Sequence, residues 1–140
     1  CQQDKTGGFQ CFVPYPFLPD SSRLPEAQLS SANEILRMIA VSRLMLDNIP
    51  HIKAYRMNIG DELAELAISS GADDIDGTVM QESIMHLAGS TAQLDFGIDE
   101  LCRLVRRAGG EPIRRDTVYS KFKPIKIKPS PSVHRLNMAK

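Results

Sequence analysis

The chain has 140 residues, 17 basic against 17 acidic side chains, 42% hydrophobic residues and no Trp, the composition of one ordinary globular domain rather than a disordered, collagenous or disulfide-stapled chain. Arg, Asp or Pro interrupts every apolar stretch before the roughly 20 residues a membrane span needs, so a transmembrane role is excluded. The zero net charge hides an asymmetry: Lys121, Lys123, Lys126, Lys128, Arg135 and Lys140 have no acid among them, which leaves residues 1–120 at −6. Without aromatic interleaving, residues 121–140 read as a basic, flexible, solvated tail rather than a contact for nucleic acid or anionic lipid.

Cys1, Cys11 and Cys102 are odd in number and irregular in spacing, which fits neither a disulfide framework nor a zinc pattern and points to a reducing, cytoplasmic compartment. The chain starts at Cys rather than Met, with no charged n-region before an apolar h-region. No signal peptide is expected, and the start reads as a cut.

In chain order, residues 9–13 are β-prone after Gly7-Gly8 and predict a buried strand, followed by a rigid loop set by Pro14, Pro16 and Pro19. Ser31 and Glu34 have capping-box spacing and open a helix striped by Ile35, Met38, Ile39, Ser42, Met45 and Leu46, which Asn48-Ile49-Pro50 ends. Residues 51–57 predict a strand, and residues 59–70 a helix with Ile59, Leu63, Leu66 and Ala67 on one face and Gly71 as its stop. Residues 72–78 form a very short strand or turn. Thr78 and Gln81 repeat the capping-box form ahead of a short helix ending at Gly89. Residues 90–96 form a loop. Ile98, Leu101, Cys102, Val105 and Ala108 stripe a last helix, stopped by Gly109-Gly110, and residues 112–119 fit one more strand. This alternation predicts an α/β fold of βα units on a parallel sheet, with a C-terminal helix and strand.

In such a fold ligands meet the carboxyl ends of the strands. His51, Lys53 and Tyr55 alternate along one strand and share a side, where they can grip an anionic aromatic molecule; alternatively His51 caps a loop and Lys53 faces solvent. Asp73 and Asp74 read as a turn, with Asp76 alone pointing inward, and His86 as a packing residue. No Gly-rich phosphate loop, HExxH, GxSxG or CxxC is present. Patterning alone names no reaction.

Three runs go further: Gly7-Gly8-Phe9-Gln10-Cys11-Phe12-Val13-Pro14, the stretch 43–55 ending His51-Ile52-Lys53-Ala54-Tyr55, and Gly71-Ala72-Asp73-Asp74-Ile75-Asp76-Gly77-Thr78. With Ala88-Gly89 and the closing Arg115-Asp116-Thr117-Val118-Tyr119, they resemble the C-terminal part of radical SAM enzymes of menaquinone and deazaflavin biosynthesis, over about residues 5–120. His-Ile-Lys-Ala-Tyr and Asp-Asp-Ile-Asp-Gly-Thr look most like the aminodeoxyfutalosine synthase branch. The related dehypoxanthine futalosine cyclase and deazaflavin-cofactor synthase look more like Asn-Ile-Gln and Asp-Phe-Gly there.

The resemblance implies the C-terminal half of a (β/α) TIM-type barrel, since a whole barrel needs about 250 residues. It implies an enzyme in which SAM on a 4Fe-4S cluster yields a 5′-deoxyadenosyl radical that adds to the enol ether of 3-[(1-carboxyvinyl)oxy]benzoate; carboxylate loss then gives aminodeoxyfutalosine. On that reading, charge and strand-end placement make His51, Lys53, Tyr55, Asp76 and Thr78 the expected substrate contacts, with Lys53 pairing a carboxylate and Tyr55 and Asp76 positioning the benzoate or ribose hydroxyls. The family's CxxxCxxC is missing, and Leu18 and Arg56 stand where the family pattern has His and Trp. The chain alone is therefore expected to carry neither cluster nor SAM and to be inactive without the other half of the barrel. The competing expectation is a non-catalytic half-barrel that binds a partner through its sheet edge and basic tail.

Overall fold

In residues 51–54 the even positions are apolar and the odd ones polar, and that period of two builds the centre of the fold. Strand β2 (His51–Ala54) buries Ile52 and Ala54 on one face and turns His51 and Lys53 to the other. The computed structural model describes residues 1–19, 23–24, 26–79, 81–94 and 96–125. β2 lies between β1 (Cys11–Phe12) and β3 (Asp74–Ile75), both parallel to it, with Cys11 opposite His51 and Lys53 opposite Asp74.

Helices cross between the strands and cover one face. Helix α2 (Ala32–Met45) begins at the expected capping box: Ser31 N–H donates to Glu34 Oε2 at 2.8 Å, and Glu34 N–H to Ser31 Oγ at 3.3 Å. It runs back to β2, while α4 (Asp61–Ser69) connects β2 to β3. Ile35 and Ile39 of α2 and Ala64 and Ala67 of α4 close on Ile52, Ala54 and Ala72 as the core. Gly71 makes the turn between α4 and β3 possible. Its φ of 121° disfavours any side chain, and a Cβ there would lie 3.2 Å from Arg43 Cβ. The architecture is mixed α/β, with parallel strands alternating with helices.

Several elements depart from expectation. Residues 2–6 form a helix, α1 (Gln2–Thr6), whose buried Gln3 exchanges hydrogen bonds with the Phe9 backbone and donates to Asn48 O at 2.8 Å. β1 is two residues long and half-buried, and Phe9 is exposed. β2 stops at Ala54 rather than Met57: Asp76 Oδ1 captures the Arg56 N–H at 2.6 Å and ends the ladder, and residues from Arg56 wind into the short helix α3 (Arg56–Ile59). On α4, Leu66 faces outward and Ala64 takes its place in the core. The Thr78–Gln81 box caps nothing; α5 (Ile84–Leu87) starts after Ser83.

Helix α6 (Ile98–Arg107) buries Leu101, Cys102 and Leu104. The strand expected at residues 112–119 is β4 (Ile113–Arg115), one arm of an antiparallel hairpin with β5 (Phe122–Pro124), so the tail expected from residue 121 begins as paired strand. Residues 126–140 of that tail lie outside the described residues. No described helix is long and apolar enough to cross a membrane.

Among the described residues β1 and β3 each have one strand neighbour, and α2 exposes Met38, Val41, Leu44 and Met45, the last two more than 70%. Open edges and an apolar stripe together favour association. The isolated chain is therefore expected to sediment faster as its concentration rises; a concentration-independent monomer would show that water tolerates this face.

Candidate functional site

The face of the sheet opposite the helical core carries the polar side chains. Because Ile52 and Ala54 point into the core, His51, Lys53 and Tyr55 share the other side, and the β2–β3 register puts Asp74 beside Lys53. The residues expected to act together divide into two groups, one at each end of the strands.

At the start of the strands, Asp74 is the centre. Arg115 of the hairpin forks onto it, Nε to Oδ1 and Nη2 to Oδ2, both at 2.8 Å; Tyr119 Oη donates to Oδ2 at 2.6 Å; and Lys53 Nζ stands 3.3 Å from Oδ2. Burial by itself would raise the Asp74 pKa, but the hydrogen bonds from Arg115 and Tyr119 outweigh it and hold the carboxyl below its ordinary value. The same surroundings push the Tyr119 hydroxyl up, first by burial and then by its bond to Asp74, so it remains a donor. Two cations facing one carboxylate leave a surplus positive charge on this face.

Asp74 thus points inward, contrary to its expected place in a turn. It does so because the hairpin delivers Arg115 and Tyr119 to it. Asp116 shapes that delivery: it accepts from Ser120 N–H at 2.8 Å and Ser120 Oγ at 2.6 Å, and Tyr119 takes a positive φ of 55°. The Arg115 guanidinium lies 4.0 Å over the Tyr119 ring. His51 is neither a cap nor free. Its Nδ1 is 2.8 Å from Asp73 Oδ2, and its ring stacks on Tyr119 at 4.7 Å. Asp73 also takes Arg43 and the Ile52 N–H, the latter at 2.8 Å, and so ties α2 to the strand starts.

At the carboxyl ends of the strands, Tyr55 contacts Tyr15 with ring centroids 5.1 Å apart, and Asp76 is 6% exposed behind them. Burial leads in raising the pKa of Asp76 and of both tyrosines. Arg56 is completely buried: Nη1 donates to Asp61 Oδ1 at 2.8 Å and to Gln93 O at 3.1 Å, and the guanidinium lies 4.6 Å from the Phe96 ring centre. Thr78 is exposed on the rim of an open cleft of about 940 Å³, which runs along β3 past α6 to the hairpin and has Asp74, Asp76 and Arg115 in its lining. His86 packs as expected, with Nε2 2.8 Å from Ala92 O. Arg56, Asp74, Arg115, Tyr119 and Tyr15 are site residues that the sequence did not mark as such.

Cys1 is exposed, Cys11 half-buried beside Tyr119 and Cys102 buried on α6, and among the described residues no three His, Cys, Asp or Glu side chains gather closely enough to hold a metal ion.

Residues 6–128 match the family model described as the CofH/MqnC C-terminal region. The chain belongs to that family. As a CofH/MqnC C-terminal region it is similar to aminodeoxyfutalosine synthase of Thermus thermophilus, 40% identical over 121 residues that cover 84% of this chain and 32% of that protein. It is 36% identical over 117 residues to cyclic dehypoxanthine futalosine synthase of Streptomyces coelicolor, covering 84% and 29%. It is 39% identical over 122 residues to the 5-amino-6-(D-ribitylamino)uracil–L-tyrosine 4-hydroxyphenyl transferase of Methanoculleus marisnigri, covering 84% and 33%. The chain spans about a third of the length of the curated relatives it matches.

Proposed function

We propose that the chain is the C-terminal part of a cytoplasmic radical SAM transferase of futalosine-pathway menaquinone biosynthesis. The whole enzyme forms aminodeoxyfutalosine from SAM and 3-[(1-carboxyvinyl)oxy]benzoate. The three parallel strands are then the back of a TIM-type barrel whose remaining strands come from the other part of the enzyme, and the polar face of the sheet looks into the reaction chamber. The 4Fe-4S cluster of such an enzyme does not fit this chain, whose three cysteines lie apart from one another. The chain's own contribution is to bind and orient substrate and to keep water out.

The surplus positive charge around Asp74 carries the reading. Arg115 and Tyr119 already satisfy that carboxylate, so Lys53, 19% exposed and 3.3 Å from Asp74 Oδ2, can turn part of its charge to one of the two substrate carboxylates. Tyr55 and Tyr15, at the strand ends, offer ring surface to the benzoate. Asp76 and the exposed Thr78 flank the same end.

In the full-length enzyme, Lys53→Ala is expected to raise KM for 3-[(1-carboxyvinyl)oxy]benzoate by about 10- to 100-fold, the worth of a charge-assisted hydrogen bond. It should cost no more than about 1 kcal/mol of stability, because Asp74 keeps its other partners. Lys53→Arg should recover part of the affinity. An unchanged KM, or a loss of activity matched by a loss of melting temperature, would assign Lys53 to the scaffold alone.

A further inference from the structure

Two buried atoms at the strand ends have no hydrogen-bond partner and face each other: Arg56 Nε and Asp76 Oδ2, 3.7 Å apart. Every other polar group of the two side chains is engaged. Asp76 Oδ1 accepts from the Arg56 N–H; Arg56 Nη1 donates to Asp61 and Gln93, and Nη2 to Met57 Sδ at 3.2 Å. What remains is one donor and one acceptor, too far apart to bond to each other and both shut away from bulk water, a state folded proteins seldom leave unrelieved.

We propose that Arg56 Nε and Asp76 Oδ2 hold one hydroxyl oxygen between them, an alcohol group of a bound ligand or a water that stands in for it. A hydroxyl is the smallest group that accepts from the guanidinium and donates to the carboxylate at once, and a 3.7 Å gap lets one oxygen lie within hydrogen-bond distance of both. A carboxylate or phosphate oxygen would meet Asp76 with like charge, a metal ion would meet the guanidinium, and an apolar group would leave both atoms unpaired. The cleft beside β3 comes close to the pair, with Asp76, Gly77 and Thr78 in its lining, although neither atom itself reaches solvent.

Arg56 is thereby a positioning residue for Asp76, a part not expected for it from the sequence. The site rests on the proposed function only for the source of the hydroxyl.

The test is a crystal structure of the full-length protein at a resolution that shows water, alone and with adenosine, which carries ribose hydroxyls, or adenine, which carries none. An oxygen bonded to both Nε and Oδ2 establishes the site: a ribose hydroxyl in its place with adenosine makes it a ligand subsite, and a water there in all three makes it a hydration site. Direct closure of Nε on Oδ2 with nothing between, or an ion at that point, overturns the proposal. Calorimetry separates the sources a second time. Asp76→Asn weakens adenosine by roughly 10- to 100-fold and leaves adenine unchanged if the ligand supplies the oxygen, and changes neither if water does. The structure needs no turnover, so a protein that makes no aminodeoxyfutalosine yet shows the oxygen refutes the function and keeps the site.

Discussion

Replacing Asp74 with alanine is expected to destabilise the chain by about 2–4 kcal/mol, because it strips three partners at once and leaves two cations facing each other. Arg115 and Lys53 retain about a fifth of their side-chain exposure, so water partly rescues them and the cost stays below that of a fully buried pair. Tyr119→Phe removes one hydrogen bond of the same cluster and should cost about 1 kcal/mol. Urea denaturation of the purified chain measures both. The pH dependence has a defined sign. The folded-state pKa of Asp74 is depressed, so its stabilisation is present above the unfolded value of about 3.9 and is lost as pH falls through the folded value. Asp76 works the other way: burial raises its pKa, so its ionisation opposes folding above the raised value and its protonation at lower pH relieves the penalty. Asp74→Ala should flatten the acid limb of the stability curve, and a variant that keeps the wild-type limb would remove Asp74 from the account.

A larger loss is expected from Arg56→Ala. The guanidinium joins Asp61, the Gln93 carbonyl and the Phe96 ring, and it is wholly buried, so truncation leaves a cavity, strips Asp61 of its hydrogen-bonded cation and removes the positive charge 3.7 Å from the buried Asp76 carboxylate. A cost of about 3–5 kcal/mol follows, comparable to much of a small domain's net stability. Arg56→Met, which fills the volume without the charge, should lose less in the same denaturation experiment. If alanine and wild type unfold at the same urea concentration, the guanidinium contacts contribute nothing to the fold.

Local signals carried the long helices α2, α4 and α6 and the centre of the sheet. The Ser31–Glu34 box starts α2 where its spacing says, and the alternation at residues 51–54 sorts core from polar face without help. What failed was set from a distance. β2 ends because a carboxylate 20 residues on takes the Arg56 N–H, and β-propensity in Tyr55, Arg56 and Met57 cannot register that. The Thr78–Gln81 pattern is as good a box as the first, but no helix follows it until Ile84. In the candidate site, His51, Lys53, Tyr55 and Asp76 were visible as unusual polar residues on strand positions. Arg115 and Tyr119 reach Asp74 across more than 40 residues, through a hairpin whose second strand, Phe122–Pro124, lies in a stretch that reads by composition as tail. The spacing of Arg115 and Tyr119 around Asp116 was the available clue. At Arg56 the clue was its place where the family pattern has Trp, but a charged residue is rarely found fully buried, so the guanidinium's interior position was not legible.

The measurement that bears most directly on the central claim is an anaerobic assay of the full-length enzyme with SAM and a panel of three acceptors: 3-[(1-carboxyvinyl)oxy]benzoate, dehypoxanthine futalosine, and 5-amino-6-(D-ribitylamino)uracil with tyrosine, products being identified by mass spectrometry. The account predicts aminodeoxyfutalosine from the first and no SAM-dependent product from the others. Turnover of either other acceptor with none of the carboxyvinyl benzoate would contradict it.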